Sequence, residues 1–215
     1  MTNSMSLNKS IYSSIDNSIQ LATSMFGTIP NERKQLLQKL SEYIQLRINQ
    51  HKKVELIFIC THNSRRSHFA QIWAQTAAAY FNIPFVYCYS GGTVVTAFNP
   101  SAVKALQEAG FSIKQKSEFN NPHYEVKYSD TSLFIDVFSK KYSDAPNPTN
   151  SFVAIMTCSR ADESCPIVHG AEERFKIPYE DPKIADGRPE QESVYNKRSL
   201  QIASEMCYMF SLLIK

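Results

Sequence analysis

Cys60 and Arg66 are separated by five residues in the run Cys60-Thr61-His62-Asn63-Ser64-Arg65-Arg66-Ser67. A loop of that length can wrap one tetrahedral anion, with successive amide N–H groups turned inward as a nest. Arg66 would grip two of the anion's oxygens at once through its planar fork, a geometry that lysine cannot reproduce. Cys60 would act as the nucleophile in its thiolate form. Ser67 is placed to donate a hydrogen bond to the sulfur. Thr61, His62, Asn63, Ser64 and Arg65 complete the expected binding set, with Arg65 adding positive field at the rim or pointing to water. His68, one turn on, is expected at the surface.

A second group follows in Met156-Thr157-Cys158-Ser159-Arg160-Ala161-Asp162-Glu163-Ser164-Cys165-Pro166. Two thiols so spaced in a polar segment could pair after modest loop movement and carry oxidation away from a first cysteine. Zinc held by Cys158, Cys165 and His169 is an alternative, but the spacing is not that of a zinc knuckle and a fourth ligand is missing. Two unrelated cysteines is another. The third group is Tyr179-Glu180-Asp181-Pro182, where Asp181 is the candidate general acid for a departing oxygen, although Asp-Pro is also a common turn.

These groups need a frame. Val54 to Ile59 is a short apolar, β-branched run, which predicts a buried strand ending at Cys60, and a helix is expected from Arg66 to Phe81. Phe85 to Tyr89 reads as a second strand, closed by Ser90-Gly91-Gly92. Asn99-Pro100 predicts a helix start, with Gly110 as its stop. Ser151–Met156 and Glu172–Ile177 read as two more strands, and Glu190–Leu213 as a closing helix. Strands alternating with helices imply an α/β fold with a central four-stranded parallel sheet between helical layers. The carboxyl ends of such strands share one edge, so Cys158 should emerge near Cys60. Residues 1–50 read as an N-terminal helical hairpin extension, from Ile11, Ile15 and Ile19 and then Leu37, Leu40, Ile44 and Ile48 at helical spacing. The catalytic domain is expected over 54–215, interrupted at 118–150 by a hairpin of Tyr124–Tyr128 and Leu133–Phe138. On this division the chemistry would not need residues 1–50. Cys88, within a strand, and Cys207, within the last helix, are expected in the core.

Composition narrows the function classes. The 215 residues are 43% hydrophobic and 20% charged, the balance of a globular protein with a substantial core. Residues 1–53 hold seven Lys/Arg against three acids, a local charge of +4, so the rest of the chain carries −1 of the total +3. Neither part offers a basic stripe for nucleic acid. No apolar run reaches 18 residues, and the polar start from Met1 to Lys9 leads into no apolar signal core, so neither a membrane span nor secretion is expected and a cytoplasmic setting is. Five cysteines, an odd number, suit reactive or buried thiols better than a disulfide framework in that setting.

The run from Ile57 to Ser67 resembles the phosphate-binding loop shared by low-molecular-weight tyrosine phosphatases and the thioredoxin-coupled arsenate reductases built on their fold. Phe98 to Leu106, the Cys158/Cys165-Pro166 pair with Ala161-Asp162 between, Asp181 to Gly187 and Trp73 are similar to the reductase branch in particular. The resemblance covers about residues 54–213. It implies that Cys60 attacks arsenate, that Arg66 and the loop amides hold it, and that Asp181 assists loss of water. Cys158 would then attack the Cys60 adduct, and Cys165 would move the resulting disulfide to Cys158–Cys165 for thioredoxin to reduce. No cofactor is implied. Arg65 stands where such reductases carry a small residue or Cys, Gln71 stands where a Glu is common, and residues 1–50 and 118–150 lie outside the shared pattern. Two rivals remain, a phosphatase acting on phosphotyrosine or small phosphate esters and a non-enzymatic oxyanion sensor. Lys183 and Ile184 after Asp181-Pro182, in place of paired tyrosines, weigh against the phosphatase. The intact nucleophile weighs against the sensor.

Overall fold

The computed structural model describes residues 11–164 and 167–214. The chain opens with two helices, α1 (Ser13–Ser24) and α2 (Asn31–Asn49). β1 (Val54–Cys60), α3 (Arg66–Tyr80), β2 (Val86–Gly92) and α4 (Pro100–Glu108) follow. A second sheet comes next, from β3 (Ser112–Gln115), β4 (Tyr124–Lys127) and β5 (Ile135–Val137). The chain then returns to the first sheet with β6 (Phe152–Met156), α5 (Ser159–Ser164) and β7 (Ala171–Lys176), and closes with α6 (Gln191–Ser211).

The main sheet runs β2-β1-β6-β7 with every pairing parallel. A strand covered on both faces reads as an unbroken apolar run, and β1 divides its side chains accordingly. Leu56 and Phe58 join the larger core with α3 and α6, while Ile57 and Ile59 join a smaller one with Phe152, Met156, Cys158 and Ala161. The two faces give the three-layer α/β architecture that the alternation of elements predicts. All four carboxyl ends lie on one edge, which brings the ends of β1 and β6 together: Thr157 N bonds Ile59 O at 2.7 Å.

The N-terminal helices bury Ile15, Ile19, Leu37, Leu40 and Ile44 in the same core as Trp73 and Met206, so this pair of helices packs on α6 rather than standing apart. The inserted hairpin is present as β4 and β5, and β3 extends it to three antiparallel strands. β3 escapes a sequence reading because Lys114 and Gln115 are polar and exposed, leaving too short an alternation to register. Among the described residues no helix is long and apolar enough to cross a membrane.

Candidate active site

β1 delivers Cys60 to the sheet edge, and residues 61–65 turn around it before α3 begins. Asn63 makes the turn at a φ of 43°, a left-handed conformation that Asn adopts more readily than most residues. Its amide is buried and used at both ends: Nδ2 donates to Ser67 Oγ at 2.9 Å and Oδ1 accepts from the Lys140 amide at 2.9 Å. Ser67 Oγ lies 3.1 Å from Cys60 Sγ. Either group can donate across that contact, and when Cys60 is a thiolate only the Ser67 hydroxyl can. A polar chain thus runs from the insertion through Asn63 and Ser67 to the candidate nucleophile.

The loop's carbonyls face outward. Thr61 O accepts from the amides of Thr93 and Val94 at 3.0 and 2.8 Å, and Ser64 O from that of Asn99 at 2.9 Å. His62 O accepts from Thr96 Oγ1 and Ser139 Oγ, both at 2.9 Å. Carbonyls held this way leave the amides to the concave side, as an anion nest requires. Gly92 closes the back of the loop, where an added Cβ would come within 2.8 Å of Asn63 N and Thr61 O. That approach admits only glycine.

Arg66 bridges the cup and the segment carrying Asp181, donating to Tyr179 O at 3.1 Å and to Asp181 Oδ2 at 2.6 Å. Asp181 Oδ1 accepts from Lys183 N at 3.1 Å, capping the short turn Pro182–Ala185. Cys158 is buried at the end of β6, with its sulfur 3.5 Å from Thr61 Oγ1 and accepting from Ala161 N at 3.3 Å. Cys60 and Cys158 belong to the same small core. Cys165 lies outside the described residues. Cys88 and Cys207 are buried in the main core. Burial pushes the Cys207 thiol up to about 12 and raises that of Cys88 as well, which leaves both unreactive.

Three side chains depart from expectation. Arg65 neither faces the cup nor points to water: its Nε donates to Tyr195 Oη at 2.6 Å and a terminal nitrogen to Asp186 Oδ2 at 3.1 Å. Tyr195 Oη in turn donates to Asp186 Oδ1 at 2.7 Å. Ser64 Oγ donates to Ala97 O at 2.7 Å, so its side chain supports the loop instead of lining it. His68 is fully buried, not at the surface, with Nδ1 3.1 Å from Ser90 Oγ and its ring 4.4 Å from that of Phe98. Burial, aided by Lys140, holds it well below the usual imidazole range and hence neutral. Lys140 went unnoticed in the sequence. It is 3% exposed, it lies 4.4 Å over the Phe138 ring, and burial lowers its ammonium to about 8 despite Asp136 and Asp144.

The arsenate reductase of Staphylococcus aureus (strain Newman) is 30% identical over 154 residues, which is 71% of this chain and 95% of that protein. The chain belongs to the arsenate reductase family. The arsenate reductase of Bacillus licheniformis is 28% identical over 148 residues, 68% of this chain and 86% of that protein. The low-molecular-weight protein tyrosine phosphatase of T. tengcongensis superposes with a TM-score of 0.51 at 17% identity, over 75% of this chain and all of that one. A YwlE mutant from Bacillus subtilis gives 0.51 at 13%, over 74% and 98%. The main sheet and its helices are therefore those of the phosphatase fold. No protein-family model matches the chain. This arsenate reductase family member is an enzyme, and more than a quarter of it lies outside the alignment to the Staphylococcus protein.

Proposed function

We propose that the chain reduces arsenate to arsenite, with Cys60 as nucleophile. The observation that carries this reading is a second thiol, Cys158, packed in the same small core as Cys60 and against the first residue of the anion loop. A hydrolase needs no such group, because water resolves its intermediate. A reductase does, because two electrons must leave the protein.

Arsenate enters the cup of amides from 61 to 67. Arg66 has five N–H donors and turns part of its fork from Asp181 to the anion. The freed Asp181 carboxyl then carries a proton to the departing oxygen. The Cys60 thiolate forms an S–As bond, and one arsenate oxygen leaves as water. Cys158 next attacks Cys60 Sγ, the S–S bond forms, and the S–As electron pair stays on arsenic. Arsenic goes from the +5 to the +3 state while two thiols become one disulfide. Cys165 then exchanges with Cys158 and frees Cys60, and thioredoxin reduces the Cys158–Cys165 disulfide. The thioredoxin step and the part of Cys165 rest on the family resemblance.

The test is arsenate-dependent reductant consumption with thioredoxin and, separately, with glutaredoxin plus glutathione, in wild type, Cys158→Ser and Cys165→Ser. Both variants should keep slow aryl-phosphate hydrolysis and fail to sustain thioredoxin-coupled turnover. Cys165→Ser should trap a Cys60–Cys158 disulfide visible by mass spectrometry. Undiminished arsenate turnover in both would put phosphate-ester hydrolysis in first place.

A further inference from the structure

The segment that presents Asp181 is held by arginines from two directions. Beyond Lys176, β7 has ended, and the carbonyls of Pro178 and Tyr179 lie outside the pairing of the sheet. Buried carbonyls without partners are costly. Arg66 takes Tyr179 O at 3.1 Å from the side of the cup. Arg33, in the first turn of α2, takes Pro178 O at 3.1 Å from behind.

Arg33 does more than cap one carbonyl. Its guanidinium carbon lies 4.7 Å over the Tyr179 ring, and its Nε donates to Glu205 Oε2 at 2.8 Å. Glu205, in α6, also accepts from Tyr179 Oη at 2.8 Å and from Gln201 at 3.1 Å. The Glu205 side chain is 4% exposed and that of Arg33 14%. Burial holds Tyr179 well above the usual phenol range, so it stays a donor to Glu205. A buried ion pair of this kind recovers little more than its own desolvation. What it supplies is a fixed geometry, and the geometry here is that of the backbone two and three residues ahead of Asp181.

We propose that Arg33, contributed by the N-terminal hairpin, is a positioning residue that sets where Asp181 stands over the anion cup. The inference rests on the reading of Asp181 as the proton donor. It brings into the site's scaffold a segment that the sequence alone placed outside it.

The experiment compares hydrolysis of phenyl phosphate and para-nitrophenyl phosphate by wild type, Arg33→Gln, Arg33→Lys, Asp181→Asn and the double variant Arg33→Gln/Asp181→Asn. Protonation matters for the poor phenolate leaving group and little for nitrophenolate. Arg33→Gln should lower kcat/KM for phenyl phosphate about tenfold and for para-nitrophenyl phosphate less than about threefold, a misplaced general acid losing part of its usual factor. Inhibition by inorganic phosphate should not change, because the cup is untouched. In the Asp181→Asn background the same substitution should cost nothing more. Arg33→Lys keeps a cation beside Glu205, so it should fold even if Arg33→Gln does not, and it should show the same leaving-group dependence at smaller amplitude. If ester hydrolysis is too slow, the same variants are compared by the rate at which arsenate forms the Cys60–Cys158 disulfide in a single turnover.

Equal losses on both esters, or multiplying losses in the double variant, would overturn the proposal and reduce Arg33 to a folding role. A leaving-group-dependent Asp181→Asn beside an indifferent Arg33→Gln would overturn it alone. An Asp181→Asn variant indifferent to the leaving group would remove the proton donor itself, and the reading of Asp181 with it.

Discussion

The two walls of the anion cup are built differently. On the side of the insertion, Ser139, Lys140 and Thr96 meet the loop through neutral hydrogen bonds to His62 O and the Asn63 side chain, all at 2.9 Å. On the side of the acid, the contacts are guanidinium groups: Arg66 on Asp181, Arg65 on Asp186 and Arg33 on Pro178. The Asp181 and Asp186 side chains keep 29% and 35% exposure, so those ion pairs are worth at most about 1 kcal/mol each. Neutral bonds, of which the one to the Asn63 side chain is buried, fix a shape, whereas partly exposed charged pairs exchange partners cheaply. On the proposed mechanism the anion loop keeps its shape while the Asp181 carboxyl changes partners on a backbone that Arg33 holds, and each wall suits that task.

The most severe way to break this arrangement is at its centre. Cys60→Ser should leave less than about 1% of wild-type turnover, since loss of a covalent nucleophile costs orders of magnitude. Phosphate binding measured by calorimetry should survive, because the amides and Arg66 remain. Arg66 ties the cup to the segment carrying Asp181, so Arg66→Lys should cost nearly as much kcat/KM as Arg66→Ala, on the order of a hundredfold. A lysine variant near wild type would mean that charge alone suffices.

Lys140 sharpens the contrast through pH. Its ammonium titrates near 8 in the folded chain against an ordinary 10.5, so below pH 8 a charged group is held buried at a cost on the order of 3 kcal/mol. Between those values the folded chain has released a proton that the unfolded chain retains, and stability relative to a neutral variant rises. Lys140→Met should therefore be the more stable protein at pH 7, by urea denaturation, with the gap closing towards pH 10.5. A constant gap would place the ammonium in water. The smallest effects compare the walls directly. Asn63→Ala removes two buried hydrogen bonds and should cost about 2 kcal/mol, while Asp186→Asn should cost less than about 1 kcal/mol. Equal costs in the same denaturation series would erase the distinction between them.

Local features carried well from sequence to structure. The apolar run into Cys60 is a central strand because a doubly covered strand has no polar face to show. Asn99 caps α4 as its chemistry suggests, with Oδ1 accepting from the Ser101 and Ala102 amides at 2.9 and 3.3 Å. His68 misled because α3 is buried on nearly every side between sheet and α6, so its polar residues do not mark a solvent face. Arg65 and Arg33 were illegible for a different reason. Their partners Asp186, Tyr195 and Glu205 lie 121, 130 and 172 positions away, and no local spacing encodes a pairing that only the closed core creates.

Gly92 gives the cup a kind of fragility that no reacting group shares. It has no side chain to offer a substrate, yet a methyl group there would press on the backbone of Asn63 and Thr61 from behind. Drift in the surrounding sequence can replace a core leucine by a methionine and pass unnoticed, but at this position even the smallest side chain deforms the nest. An alanine at 92 would read, in any functional screen, as a lesion of the anion loop, although it lies on a different strand and carries no chemistry of its own.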